Sequence, residues 1–216
     1  MFEQIDLYCE RLGPGFWAEP VNALANVSFF IAAWATWRLA RQRNVLVPGV
    51  WLTVLLIVAI GIGSFLFHTL ATGWAQLLDV GPILLFQLAF IFVYLRLIAG
   101  TGNAVAAGGV LAFLGIALYS RQFEGLLNGS MMYAPALGVL LMLGVYHALH
   151  ARAARSLLLV GGVLFAIAVT FRSIDMAVCP AWPLGTHFLW HLTNGVVLYC
   201  AMKALIGNIA PASRPA

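Results

Sequence analysis

The chain has 216 residues, of which 63% are hydrophobic and only 8% are charged. A soluble domain carries about 25% charged residues, so the composition excludes a soluble fold and predicts an integral membrane protein. The formal charge of +4 does not predict nucleic-acid binding, because the cations stand at the ends of the apolar segments.

The apolar segments predict seven membrane-spanning helices, since about 20 apolar residues cross a bilayer. Clusters of Gly, Pro and Arg mark the breaks between them. The predicted spans are residues 20–38, 50–69, 76–98, 103–120, 130–150, 156–175 and 185–206. We therefore expect an all-α fold, a single seven-helix membrane domain over residues 1–216. It has an extramembrane segment at 1–19 and a short tail at 207–216.

The basic residues predict the orientation of this bundle, because Lys and Arg are enriched in short cytoplasmic loops. Eight follow odd-numbered spans and three lie on the other side of the membrane. The eight are Arg38, Arg41, Arg43, Arg96, Arg152, Arg155, Lys203 and Arg214, and the three are Arg11, Arg121 and Arg172. We expect the N-terminus outside and the C-terminus in the cytoplasm.

All seven acidic residues fall on the predicted outer side. They are Glu3, Asp6, Glu10, Glu19, Asp79, Glu124 and Asp175. The orientation rule hardly concerns acidic residues and does not explain this bias. Two interpretations stay open, a face that binds cations and a solvated acidic rim.

Three polar side chains stand where the second predicted span ends and the third begins. Ser64 and His68 are four residues apart, which places them on one face of a helix near its outer end. Asp79 opens the third span on the same side. Ionisable side chains inside a membrane are costly, and they are usually functional.

The fifth and sixth spans carry polar residues that weigh less. His147 and His150 lie at the cytoplasmic end of the fifth span, and we expect them at the membrane interface. Arg172 and Asp175 are three residues apart on the sixth span, and we expect them to pair.

The seventh span begins with His187 and His191, again four residues apart on one face. Together with His68 they predict a zinc site with three histidine ligands and an open position, which is the arrangement of catalytic zinc. The alternative is that each histidine forms its own hydrogen bonds inside the bundle.

The predicted zinc site indicates hydrolysis, because zinc activates water and polarises a carbonyl group. Asp79 is placed to accept the proton of that water. Ser64, one turn from His68, is placed to donate a hydrogen bond to the oxyanion of the reaction. For Ser64 the alternative is a hydrogen bond back to a carbonyl of its own helix.

These residues resemble the alkaline ceramidase family, within a wider superfamily of seven-helix membrane hydrolases that includes the adiponectin receptors. The family pattern is Ser-x3-His, then Asp after ten more residues, then His-x3-His in the last helix, and every element is present. The stretches YCERLGPGFWAEPVNALAN and FRSIDMAVC are also similar to family segments. The resemblance implies a zinc-dependent amidase that cuts the N-acyl bond of ceramide to give sphingosine and a fatty acid.

The resemblance also implies a calcium site beside the zinc, built from the N-terminal segment. Its candidate ligands here are Asp6, Glu10 and Glu19, with backbone carbonyls. Leu7 and Leu12 stand where the family has polar ligands, and calcium requires oxygen atoms. For Glu19 the alternative is a charge that stabilises the N-terminus of the first helix.

The three cysteines predict one disulfide. Cys9 and Cys179 both fall on the predicted outer side, where an oxidising environment preserves disulfides, and we expect them to be bonded. Cys200 lies inside the seventh span and is expected to be a free thiol. The alternative is that Cys9 and Cys179 are free thiols as well.

The leading functional hypothesis is therefore an amidase that acts on ceramide or another N-acyl lipid. Its active site is expected near the outer face, periplasmic or lumenal. The alternative is a lipid-sensing, receptor-like protein with a structural zinc, which is usually four-coordinate and closed. A transporter is disfavoured, because the sequence shows neither an inverted repeat nor a chain of charges in midspan.

Overall fold

The structure is a computed structural model and describes residues 3–123, 125–151 and 153–210. Over these ranges the regular secondary structure is helical, and an isolated antiparallel bridge joins Gln4 to Thr72. Glu124, Arg152, Arg214 and the end of the predicted tail lie outside the described residues.

The described part of the chain contains eight α-helices. They are α1 Pro20–Ala25, α2 Val27–Gln42, α3 Pro48–Leu70, α4 Gly73–Leu97, α5 Asn103–Ser120, α6 Ala134–His150, α7 Leu157–Val178 and α8 His187–Asn208. Six of them, α3 to α8, are long and apolar enough to cross a membrane, two of these with an adjoining 3-10 turn. The prediction of an all-helical fold is confirmed, and the six apolar helices agree with a multi-pass membrane protein. The count of seven spans and the orientation of the termini stay predictions.

The first predicted span takes a different form from the other six. It consists of α1 and α2, which meet at Asn26, and α2 alone has 16 residues. The side-chain amide of Asn26 donates hydrogen bonds to the carbonyl oxygens of Asn22 and Ala23, at 3.0 and 3.2 Å. Asparagine competes in this way with regular helical hydrogen bonding, which explains the break.

The helices pack mainly with their neighbours in the chain, and α8 also lies against α2. Two glycines permit close approaches between helices. A Cβ at Gly195 of α8 would meet Ser28 of α2 at 2.8 Å, and a Cβ at Gly63 of α3 would collide with the carbonyl oxygen of Leu78 in α4. The exposed surfaces of the helices carry large apolar side chains, as a surface in contact with lipid requires.

The N-terminal segment lies across the end of α3. The amide of Ile5 donates to the carbonyl oxygen of Ala71 at 2.7 Å, and Tyr8 packs against Phe67 in a small apolar cluster. A disulfide joins Cys9 to Cys179, with a Cα–Cα distance of 5.4 Å. The segment is therefore tied both to the α3–α4 turn and to the end of α7.

The opposite end of the bundle holds a buried histidine that we expected at the interface. His147 is fully buried, so that prediction is wrong for His147, whereas His150 is exposed. The hydroxyl of Tyr94 lies 2.9 Å from Nδ1 of His147, and the side-chain amide of Asn208 lies 3.5 Å from its Nε2. Partners on α4 and α8 therefore draw this imidazole into the protein.

Candidate metal centre

Three histidines from two helices converge at one end of the bundle, which we call the histidine end. His68, His187 and His191 are all buried, with at most 2% of each exposed. One ring nitrogen of each lies within 4.8 Å of those of the other two. Nε2 of His68 and Nε2 of His191 are 2.9 Å apart. This is the grouping that a single metal ion requires.

Local structure explains why the three rings meet. His187 is the first residue of α8, and His191 follows one turn later on the same face. His68 lies in the last turn of α3. The hydroxyl of Ser28 donates to the carbonyl oxygen of His191 at 2.9 Å, which fixes this turn of α8 against α2.

The nitrogen atoms of the cluster fit a metal ion. The Nδ1 atoms of His187 and His191 are buried, and no hydrogen-bond partner for them exists among the described residues. Buried polar atoms without partners are costly. The Nε2 atoms of His68 and His191 face each other, and three imidazoles gathered in this way suit a cation. Neutral imidazole is a preferred ligand of zinc. Among the His, Cys, Asp and Glu side chains of the described residues, these three form the group whose ligand atoms lie close enough together to share one ion.

The third histidine is held by a carboxylate. Nδ1 of His68 lies 2.5 Å from Oε2 of Glu19, so the proton on Nδ1 points to Glu19 and Nε2 is left for a metal. Glu19 also accepts hydrogen bonds from Nε of Arg11 at 2.5 Å and from the side-chain amide of Asn22 at 3.1 Å. Burial alone would raise the pKa of Glu19, but His68 and Arg11 outweigh it and lower that pKa below its ordinary value.

Ser64 and Asp79 are buried next to the histidines. Ser64 lies one turn before His68 and close to the carboxyl group of Asp79, and its hydroxyl has no hydrogen-bond partner among the described residues. The alternative, a hydrogen bond from Ser64 back to its own helix, is not present. The structure thus brings both predicted catalytic residues to the cluster.

A proline and a glycine allow α3 and α4 to approach at this level. Pro82 has no N–H group, so it cannot donate to the carbonyl oxygen of Leu78 four residues earlier. That same carbonyl oxygen packs on Gly63, where a Cβ would collide with it. The close contact places Ser64 of α3 beside Asp79 of α4.

Tyr8 covers the cluster from the N-terminal segment. Its ring stacks on the ring of His187, with centroids 3.6 Å apart and planes inclined by 19°. Burial raises the pKa of Tyr8 well above its ordinary value, so the phenol stays neutral. The guanidinium of Arg172 lies over the rings of Tyr8 and Tyr133, at 5.9 and 5.3 Å. The contact of Tyr8 with the cluster was not predicted from the sequence, although Tyr8 lies within a stretch that resembles the family.

Asp175 holds the start of α8, and the expected pair with Arg172 is wrong. Its Oδ1 accepts hydrogen bonds from the amides of Thr186 and His187, at 2.6 and 2.9 Å, and its Oδ2 from the amide of Cys9, at 2.9 Å. The first N–H groups of a helix have no partner within it and attract a carboxylate. Arg172 instead donates to the hydroxyl of Ser130 at 2.9 Å.

The three residues predicted for calcium do not form a common ligand group. Asp6 is exposed. The two carboxylate oxygens of Glu10 accept hydrogen bonds from the amides of Val21 and Asn22, at 2.7 and 2.8 Å, so Glu10 caps α1. Burial raises the pKa of Glu10 above its ordinary value. Glu19 is used by His68 and Arg11.

An apolar cavity of about 100 Å³ lies beside the histidines, inside the bundle. Trp190, which stands next to His191 in α8, forms part of its wall. So does Phe29, whose ring centroid is 5.9 Å from that of His191. Other large side chains of the wall are Phe86, Phe90, Tyr133 and Phe165. The cavity is suited to a hydrocarbon chain.

Comparison with known proteins adds one match. A family model described as Ceramidase matches residues 9–209, which is nearly the whole chain and includes every residue of the histidine cluster. A search of curated proteins found no match.

Proposed function

This chain belongs to the ceramidase family, as its resemblance to alkaline ceramidases predicted, and we propose that it is a zinc-dependent amidase of the membrane. The family implies a hydrolase that acts on the amide bond of ceramide. Our proposal is that ceramide or a similar N-acyl lipid is cut to a fatty acid and an amine-bearing lipid. The observation that carries it is the convergence of His68, His187 and His191 next to Ser64 and Asp79.

His68, His187 and His191 would hold the zinc ion. Bound there, zinc would supply a Lewis acid for the amide carbonyl and would make water more acidic. Glu19 keeps the imidazole of His68 in the tautomer that presents Nε2. The three rings are neutral ligands, so the carboxylate of Asp79 would offset part of the charge of the ion.

Asp79 and Ser64 would carry out the proton transfer and the stabilisation of charge. Asp79 accepts a proton from the attacking water and later delivers it to the nitrogen of the leaving amine. Ser64 donates a hydrogen bond to the carbonyl oxygen as negative charge develops on it. The water oxygen joins the acyl carbon, the C–N bond breaks, and a fatty acid and an amine are released. The absence of a back-bond at Ser64 supports this role.

The apolar cavity would hold the acyl chain of the lipid. It adjoins the histidines through Phe29 and Trp190, so a chain inside it would place its amide group at the cluster. We propose that the site faces the periplasm or lumen, because the count of basic residues predicts that the histidine end is the outer end.

The test is to incubate the purified protein with a panel of N-acyl lipids and to measure released fatty acid by mass spectrometry. We expect release from ceramide or a related lipid, its loss on treatment with a zinc chelator, and its return with added zinc. His147→Phe, at the opposite end, is the matched control and should retain activity. A protein that holds zinc and releases no fatty acid from any of these lipids would instead favour the receptor-like alternative.

A further inference from the structure

Arg11 sits at the centre of a group of oxygen atoms in the N-terminal segment. Its Nε donates to Oε1 of Glu19 at 2.5 Å, its Nη2 to the carbonyl oxygen of His68 at 2.9 Å, and its Nη1 to the carbonyl oxygen of Gly13 at 3.1 Å. All three nitrogen atoms of the guanidinium are thus used. Two of the oxygens belong to the N-terminal segment and the third to the last turn of α3, so one buried cation joins the segment to this helix.

The ion pair between Arg11 and Glu19 is enclosed, with 2% of each side chain exposed. A buried carboxylate that loses its cation is strongly destabilised. Glu19 also contacts Nδ1 of His68, so the charge of Arg11 acts on the cluster through Glu19. Arg11 is therefore a positioning residue for His68.

We propose that the guanidinium of Arg11 is a built-in cation that takes the place of the calcium ion implied by the family resemblance. Carboxylate and backbone carbonyl oxygens are the ligands that calcium prefers, and here such oxygens already bind Arg11. The inference rests on the proposed function only in treating His68 as a metal ligand.

The remaining candidate ligands agree with this proposal. Both oxygens of Glu10 are used by backbone amides, and Asp6 is exposed. Leu7 and Leu12, which stand at ligand positions of the family, are 37% and 89% exposed and offer no side-chain oxygen. A divalent ion placed beside Glu19 would also be repelled by the guanidinium. The chain therefore holds Glu19 and His68 in place at any calcium concentration.

The first experiment measures calcium binding to the zinc-loaded wild-type protein. We expect no heat of binding on titration with CaCl2. At one fixed free zinc concentration, we also expect the same zinc content and the same temperature of unfolding in calcium-free buffer and in buffer that contains CaCl2. Calcium binding with a rise in the temperature of unfolding, or a lower zinc content in the calcium-free buffer, would overturn the proposal.

The second experiment measures zinc affinity by titration with a competing chelator. In Arg11→Met we expect the affinity to fall about 10- to 100-fold, the range for partners that orient metal ligands. When Arg11→Met is added to Glu19→Gln, we expect the zinc affinity to fall less than about 3-fold further, because the negative charge of Glu19 that Arg11 neutralises is already absent. An undiminished effect of Arg11→Met in that background would show that Arg11 does not act through Glu19.

Two further variants keep the result interpretable. Arg11→Lys retains a cation, and we expect it to bind zinc more tightly than Arg11→Met. Arg11→Lys also allows the test if Arg11→Met does not fold. If Arg11→Lys bound calcium and kept the zinc affinity of wild type, that result would contradict the proposal. Arg43→Ala is the matched control, because Arg43 donates to the carbonyl oxygen of Gly207 at the opposite end, and its zinc affinity should equal that of wild type. None of these measurements requires hydrolysis, so a failure to release fatty acid would leave their outcome unaffected.

Discussion

Buried histidines lie at both ends of α8. The two ends differ in which partners the ring nitrogens have. At one end, His187 and His191 have Nδ1 atoms without hydrogen-bond partners among the described residues, and a third imidazole lies beside them. At the other end, both nitrogens of His147 face neutral polar groups, Tyr94 and Asn208. Burial is common to both ends, so burial does not distinguish a ligand from a structural residue.

Convergence of several imidazoles therefore distinguishes the candidate metal site from a single structural histidine. A histidine whose nitrogens are both partnered can connect helices, as His147 connects α6 with α4 and α8. Three imidazoles that face one another repel when protonated and need a cation when neutral.

The strongest test removes one histidine from each end. In His187→Ala we expect zinc to fall from one equivalent to near zero, with hydrolysis reduced by about a thousandfold or more, because a catalytic metal supplies several kcal/mol. His147→Phe should keep a full equivalent of zinc. Metal analysis of the purified variants decides this, and normal zinc in His187→Ala would remove the contrast between the ends.

The second test separates catalysis from metal binding. Asp79→Asn should lower turnover about 10²- to 10⁴-fold, as the loss of a general base does. Ser64→Ala should lower it about 10²- to 10³-fold, as the loss of an oxyanion donor does. Both should keep their zinc, and Tyr94→Phe at the opposite end should turn over like wild type. A variant with normal kcat would exclude its residue from the mechanism.

The third test concerns the disulfide, which closes only the histidine end. Thiol counting on denatured, unreduced protein should find one reactive cysteine, Cys200, and three reactive thiols would refute the bond. The double change Cys9→Ser with Cys179→Ser should lower stability by about 2–4 kcal/mol, because the bond constrains a long loop in the unfolded chain. Thermal unfolding measures this, with Cys200→Ala as the control.

The smallest effect is expected at His147. The change His147→Phe leaves the hydroxyl of Tyr94 without its partner, which costs about 1–3 kcal/mol. Adding Tyr94→Phe should recover part of that loss, because removing both partners of a buried hydrogen bond is nearly neutral. Thermal unfolding of the single and double variants checks this. Both the single and the double variant should bind zinc like wild type.

The membrane helices were predictable from sequence because lipid demands long apolar segments. The third predicted span, 76–98, corresponds to α4 at Gly73–Leu97, and the other long helices match to within a few residues. The break at Asn26 was not predicted, because it depends on how one amide side chain bonds to the preceding turn. Hydropathy averages over such a single residue.

The residues of the candidate site were predictable to the extent that helical spacing determines a shared face. Ser64 with His68, and His187 with His191, follow directly from a separation of four residues. Arg11 and Tyr8 could not be found in this way, because the segment that carries them is not helical and its path is set by tertiary contacts. The same spacing rule misassigned Asp175, whose partners are the free amides of another helix.

The distance along the chain between the parts of the cluster affects how the protein is made. His68 and His191 are separated by 123 residues, and synthesis at about 5–20 residues per second takes about 6 to 25 s to cover them. During that interval Glu19 and His68 can meet, while the amide of Cys9 still lacks its acceptor on α7. A metal ion that binds all three histidines can therefore enter only after α8 has been synthesised and inserted, so assembly of the complete site waits for the last helix.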